Sequence, residues 1–74
     1  MTKTELINGI KEVLGTSVDL SNDTVLEDIP EWDSLAIMSM VTYLASNCGK
    51  MLSFSEIKEF KTVDDILNAA GGCE

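Results

Sequence analysis

The chain has no histidine. That absence excludes a Ser-His or Cys-His nucleophile pair and an imidazole metal site. Basic residues are scarce too: five stand against thirteen acids, for a net charge of −8. So acidic a surface repels phosphate backbones and anionic headgroups, so neither nucleic acid nor a membrane surface is expected as a partner. A basic protein or cations fit better. No segment approaches the roughly 18 apolar residues of a membrane span. Met1-Thr2-Lys3-Thr4-Glu5 holds no apolar run of signal-peptide length, so the expected setting is cytoplasmic. The two cysteines, Cys48 and Cys73, are too far apart in sequence for a zinc or redox motif and are expected as reduced thiols. A calcium loop beginning at Asp19 also fails, because Thr24 stands where glycine is needed and Pro30 where glutamate is needed.

What is present is enough to fold. The apolar fraction is 45%, and Leu, Ile, Val and Phe make up 21 of the 74 residues, well above the level of a disordered chain. The length is that of one small domain, residues 1–74, which buries only about 60% of its unfolded surface and leaves little room for a deep internal active site. Thr2-Lys3-Thr4-Glu5 reads as a capping box, followed by Leu6, Ile7, Ile10, Val13 and Leu14 at helical spacing and by Gly15 as a stop. A first helix is expected over about 3–14.

Residues 16–33 keep no helical period and carry Asp19, Asp23, Glu27, Asp28, Glu31 and Asp33 with no base among them. Loops this long are uncommon in compact domains and are often functional. Leu20, Val25, Leu26 and Ile29 are spaced to pin it, and Pro30 closes off any short turn before it. Asp33 is a good N-cap for a second helix over about 34–47, stopped by Gly49. Its expected buried arc holds Leu44, Ile37, Cys48, Val41, Ala45 and Met38, and no charge occurs from Ser34 to Cys48. Ser53 or Ser55 can cap a short helix over about 55–59. Thr62-Val63-Asp64-Asp65 opens a last helix over about 63–70, with a frayed tail at 71–74. The fold class is all-α: a small four-helix bundle, three main helices and one short one, with a long loop between the first two.

Chemistry has one address, Glu31-Trp32-Asp33-Ser34-Leu35. With Asp33 as cap, the Ser34 hydroxyl is free, and a phosphate attached there would meet unsatisfied backbone N–H groups and the positive end of the helix dipole. Without histidine this chain cannot activate Ser34 itself, so another protein must perform any reaction at it. The bland alternative is a serine that merely begins a helix, in an unmodified acidic helical interaction module.

Asp33-Ser34-Leu35 at the head of the second helix after a long loop resembles the acyl carrier and peptidyl carrier family. Leu26-Glu27-Asp28, Trp32 and Phe60-Lys61-Thr62-Val63-Asp64-Asp65-Ile66 extend the likeness over nearly the whole chain. The resemblance implies a carrier protein and not an enzyme. Ser34 would bear a phosphopantetheine arm, added from coenzyme A by a phosphopantetheinyl transferase, whose thiol holds acyl or aminoacyl groups as thioesters. Asp33 would help position the transferase's magnesium, and Leu35 would lie near the foot of the arm. Implied partners are that transferase, an acyl- or aminoacyl-loading ligase or adenylation enzyme, and synthase or transferase enzymes, with the carrier a monomer. Trp32, Ala36, Ile37, Ser39 and Met40 are its candidate partner contacts. Fatty-acid carriers have an acid-rich second helix; here Ala36, Ser39, Ala45 and Ser46 stand at the matching positions. The Trp32-Asp33-Ser34-Leu35 form resembles stand-alone carriers of specialised pathways.

Overall fold

Four helices in the order α1 (Lys3–Leu14), α2 (Ser34–Cys48), α3 (Phe54–Lys58) and α4 (Val63–Ala69) make up the computed structural model, which describes residues 2–71. α1 begins with the expected capping box. The Glu5 N–H donates to Thr2 Oγ1 and the Thr2 N–H to Glu5 Oε1, both at 3.1 Å. It ends at Gly15, whose φ of 68° lets its N–H reach back to the Lys11 and Glu12 carbonyls. Leu6, Ile10 and Leu14 form its buried stripe.

α2 differs from its expected orientation. The buried stripe runs through Ala36, Ile37, Met40 and Leu44, while Met38 is 51% exposed. Relative to the expected arc, the helix is rotated by roughly a quarter turn. The reason lies in its composition. Alanine, methionine, valine and hydroxyl residues surround the axis, so no single arc dominates, and the helices packed on α2 choose the face. α1 packs along the flank where Tyr43 lies over Gly9, and α3 packs along another. Met40, Leu44 and Ile57 are shut off from solvent together. Truncating any of them to alanine would cost about 2–5 kcal/mol.

α3 starts one residue early because Ser53, not Ser55, is its cap, in a capping box with Glu56. At the head of α4, Asp65 Oδ2 accepts from the Lys61 N–H at 2.8 Å and the Thr62 N–H at 3.2 Å. These bonds hold the Asp65 carboxyl below its ordinary value. Their contribution is therefore complete above the ordinary carboxylate range and is lost as pH falls through the lowered value. α4 buries Val63 and Ile66, with Ala70 just beyond it.

The loop over 16–33 is tied down. Leu26–Asp28 forms a single 3-10 turn, and Leu26 and Ile29 are buried. The Leu26 N–H donates to the Lys61 carbonyl at 2.8 Å, the Val63 N–H to the Thr24 carbonyl at 3.0 Å and the Asp64 N–H to the Asn22 carbonyl at 3.0 Å. Val25, expected as a side-chain anchor, is 41% exposed and holds the loop through an isolated backbone bridge with Thr62. Asp19 finds a base outside its own segment, Lys11 of α1, at 3.2 Å. That pair is exposed and contributes little.

The expectation of reduced thiols is corrected at Cys48, which is disulfide-bonded. That expectation came from the cellular setting, which says nothing of where the fold brings sulfurs. Cys73 and the rest of the expected frayed tail beyond Gly71 lie outside the described residues. Among the described residues no helix is long and apolar enough to cross a membrane.

Gly9 lets α1 and α2 approach: a methyl there would overlap the Tyr43 hydroxyl. Burial, and secondarily the charge of Glu12, push the Tyr43 phenol up from its ordinary value. Gly9→Ala should therefore lower stability by up to about 2 kcal/mol through overpacking. In a Tyr43→Ala background the same change should raise it by up to about 1 kcal/mol through helix propensity. Urea denaturation of the four proteins checks this. An effect of the same sign in both backgrounds would contradict the contact.

Candidate functional site

The loop and α2 meet at Asp33, whose extended backbone (φ −135°, ψ −174°) turns the chain into the helix. Asp33 Oδ1 accepts from the Ala36 N–H at 2.8 Å, which completes the N-cap. Ser34 is the first helical residue and is exposed. Because Asp33 already serves as cap, the Ser34 hydroxyl is not needed by the fold. The Ser34 and Leu35 N–H groups come too early in the helix for an intrahelical acceptor. The site thus presents an open hydroxyl beside free donors at the positive end of a 15-residue helix. Those features suit a phosphate ester: its oxygens would meet the free N–H groups, and no side chain need move from Ser34. The chain holds no histidine that could activate the hydroxyl.

Trp32 is half-buried against the core and its backbone N–H donates to the Ile29 carbonyl at 3.0 Å, an anchor for the last loop turn. Leu35 is 75% exposed. Among the expected partner contacts, three are buried. Ala36 and Ile37 are each only 6% exposed, with Ala36 reaching the surface where it lines a groove beside α1, and Met40 is fully enclosed. Ser39 is half-buried. The exposed face of α2 is instead made by Leu35, Met38, Thr42 and Ser46. Spacings of three and four residues line these up as one ridge leading away from Ser34. The quarter-turn ambiguity of α2 hid this ridge.

A groove of about 220 Å³ lies on the other flank of that ridge, between the end of α1 and the start of α2. Val13, Leu14, Leu35, Ala36 and Ser39 line it together with the acids Glu31 and Asp33. Glu31 Oε1 is buried and has no hydrogen-bond partner. A buried acceptor left unmade costs about 1–3 kcal/mol, and more when charged. Nothing in the sequence marked Glu31 from the five other loop acids. Two larger cavities are lined without any residue of α2 and lie away from Ser34.

A family model described as a phosphopantetheine attachment site matches residues 4–70. No curated protein and no solved structure matches the chain.

The division of labour between Asp33 and Ser34 is testable by thermal or urea denaturation. Asp33→Ala removes the cap and should lower stability by about 0.5–2 kcal/mol. Ser34→Ala should cost less than about 1 kcal/mol and leave the helical circular dichroism unchanged. A larger loss for Ser34→Ala than for Asp33→Ala would make Ser34 a structural residue.

Proposed function

Since the chain belongs to the phosphopantetheine-binding carrier family, whose members bear that group covalently and are not themselves catalysts, we propose that Ser34 is its attachment residue. The observation that carries this reading is the exposed Ser34 hydroxyl at the first position of α2, with the capping role already filled by Asp33. A transferase can approach such a hydroxyl without unfolding anything. The ester phosphate then lies beside the free N–H groups of Ser34 and Leu35, which stabilise its charge. Asp33, the residue just before Ser34, would help seat the transferase's magnesium. Leu35 offers an apolar surface at the foot of the arm. The arm, once attached, supplies a terminal thiol that holds an acyl or aminoacyl group as a thioester for delivery to partner enzymes.

The partners are a phosphopantetheinyl transferase, a loading ligase or adenylation enzyme, and the synthase or transferase enzymes that consume the cargo. The ridge of Leu35, Met38, Thr42 and Ser46 is the surface they meet. It has apolar and hydroxyl character and no charge, which supports a specialised pathway over housekeeping fatty-acid synthesis. A basic enzyme surface built to pair with acids on this helix would bury its own charges unpaired.

Intact mass after co-expression with a promiscuous phosphopantetheinyl transferase tests the attachment. The wild-type chain should gain one phosphopantetheine, and Ser34→Ala should gain none. An unmodified wild-type chain, or an adduct that persists on Ser34→Ala, would defeat the proposal, and the first result would favour an unmodified interaction module.

Partner choice is tested by adding charge to the ridge. The loaded protein should be turned over poorly by a fatty-acid synthase component that recognises acidic carriers. The variant Met38→Glu, Thr42→Glu, Ser46→Glu should be turned over faster, mainly through the association rate and with greater sensitivity to salt. High turnover of the parent, or no rise in the variant, would mean that the acids of the loop do the steering.

A further inference from the structure

We propose that Met38 is an oxidation-sensitive contact for the enzyme that modifies Ser34. Its conversion to the sulfoxide by hydrogen peroxide weakens docking of the transferase, a proposal that rests on the carrier reading above. Met38 is 51% exposed on α2 and lies four residues after Ser34. At 100° and 1.5 Å per residue, the two stand about 40° apart around the axis and about 6 Å apart along it. An enzyme that closes its active site over the Ser34 hydroxyl therefore covers Met38 as well. Met40 is fully enclosed and shielded from an oxidant, whereas Met51 is 84% exposed but lies beyond the far end of α2.

The chemistry is a two-electron oxidation. A lone pair of the Met38 thioether attacks one oxygen of the peroxide, the O–O bond breaks and an S–O bond forms. The departing hydroxide takes up the proton of the transferred oxygen and leaves as water. A flexible apolar side chain thereby becomes a polar one with a strong acceptor. In the free carrier that acceptor faces water, so the fold loses little. Under a docked enzyme it gives up water and needs a donor in return. The neighbouring ridge residues offer none: Leu35 is apolar, and Thr42 Oγ1 already donates to the Met38 carbonyl at 3.5 Å. The apolar character that suits the ridge to close contact thus makes it intolerant of a sulfoxide. Thiol-dependent reductases return the sulfoxide to methionine, so the effect is reversible.

The test treats the full chain, before any phosphopantetheine is attached, with hydrogen peroxide and locates the added oxygen by peptide mass mapping. The treated chain is then the substrate of a promiscuous phosphopantetheinyl transferase with coenzyme A. Oxygen should be found on Met38 and Met51 before Met40. With Met38 oxidised, KM for the carrier should rise about tenfold with little change in kcat, the scale of losing one apolar side chain from an interface. Met51→Leu should keep that sensitivity, and Met38→Leu should show the same KM before and after peroxide. Met38→Gln, polar at the same position, should show a raised KM without oxidant. A methionine sulfoxide reductase should restore the oxidised parent. An unchanged KM with Met38 oxidised would overturn the proposal, as would an equal rise in Met38→Leu or sparing of Met38 while Met51 reacts. A fall in melting temperature of more than about 4 °C on oxidation, the scale of a lost stabilising contact in a domain this small, would place the damage in the fold and overturn it too. The two readings fail distinguishably. An untreated carrier that gains phosphopantetheine but whose KM ignores Met38 oxidation sinks this proposal alone, whereas an untreated carrier that gains none sinks both.

Discussion

The Leu26 N–H on the Lys61 carbonyl and the Val63 N–H on the Thr24 carbonyl join the middle of an 18-residue loop to the head of α4. Without them the loop would hang between α1 and α2 as an acidic tether, held by side chains, chiefly the buried Leu26 and Ile29 with Leu20 and Trp32 packed beside them. With them the chain is fixed on both sides of the 3-10 turn, and only a few residues separate that fixed point from Ser34. A third backbone bond, Asp64 N–H to the Asn22 carbonyl, and the Asn22 side-chain bond to Asp64 Oδ1 at 3.0 Å extend the same seam. Asp65 braces it from behind by accepting the Lys61 and Thr62 N–H groups. The position of Ser34 is thus set by backbone pairing some distance from it, and not by contacts of its own.

Charge and apolar surface are divided to suit a protein handled by others. Glu31 and Asp33 stand at the head of α2, where the helix dipole favours acids, while the exposed ridge of α2 carries none. Long-range attraction and close contact are then supplied by different parts of the surface. On the carrier reading proposed above, the acids would speed encounter with a basic partner, and the uncharged ridge would decide whether the fit is close enough to last. Between the two lies the Glu31 groove, where a stabilising opportunity within the fold has been left unused.

Most of the helical framework was legible in the sequence because it is written in local signals. The capping box of Thr2 and Glu5, the stops at Gly15 and Gly49 and the Asp33 cap each act within five residues, and each is found where expected. The all-helical class follows from them. Ser34 was legible for the same reason, since a cap at Asp33 makes the next hydroxyl superfluous. The face of α2 was not legible. Its hydrophobic and hydroxyl residues surround the axis, so which side is buried depends on α1 and α3, and Gly9 opposite Tyr43 is a pairing between positions far apart in the chain. Burial of Ala36, Ile37 and Met40, exposure of Met38, and the backbone role of Val25 all follow from that tertiary choice. Glu31 stayed hidden because burial distinguishes one acid from five similar ones, and burial is not a local property.

Hydrogen exchange of the Leu26 and Val63 amides in the unmodified protein tests the central claim, that backbone pairing to α4 makes the long loop the rigid support of Ser34. The account predicts protection close to that of the Leu44 amide in the core of α2, because opening the seam would require releasing Leu26 and Ile29 from the core. Exchange of both amides at the rate of an unstructured peptide, with Leu44 still protected, would contradict it.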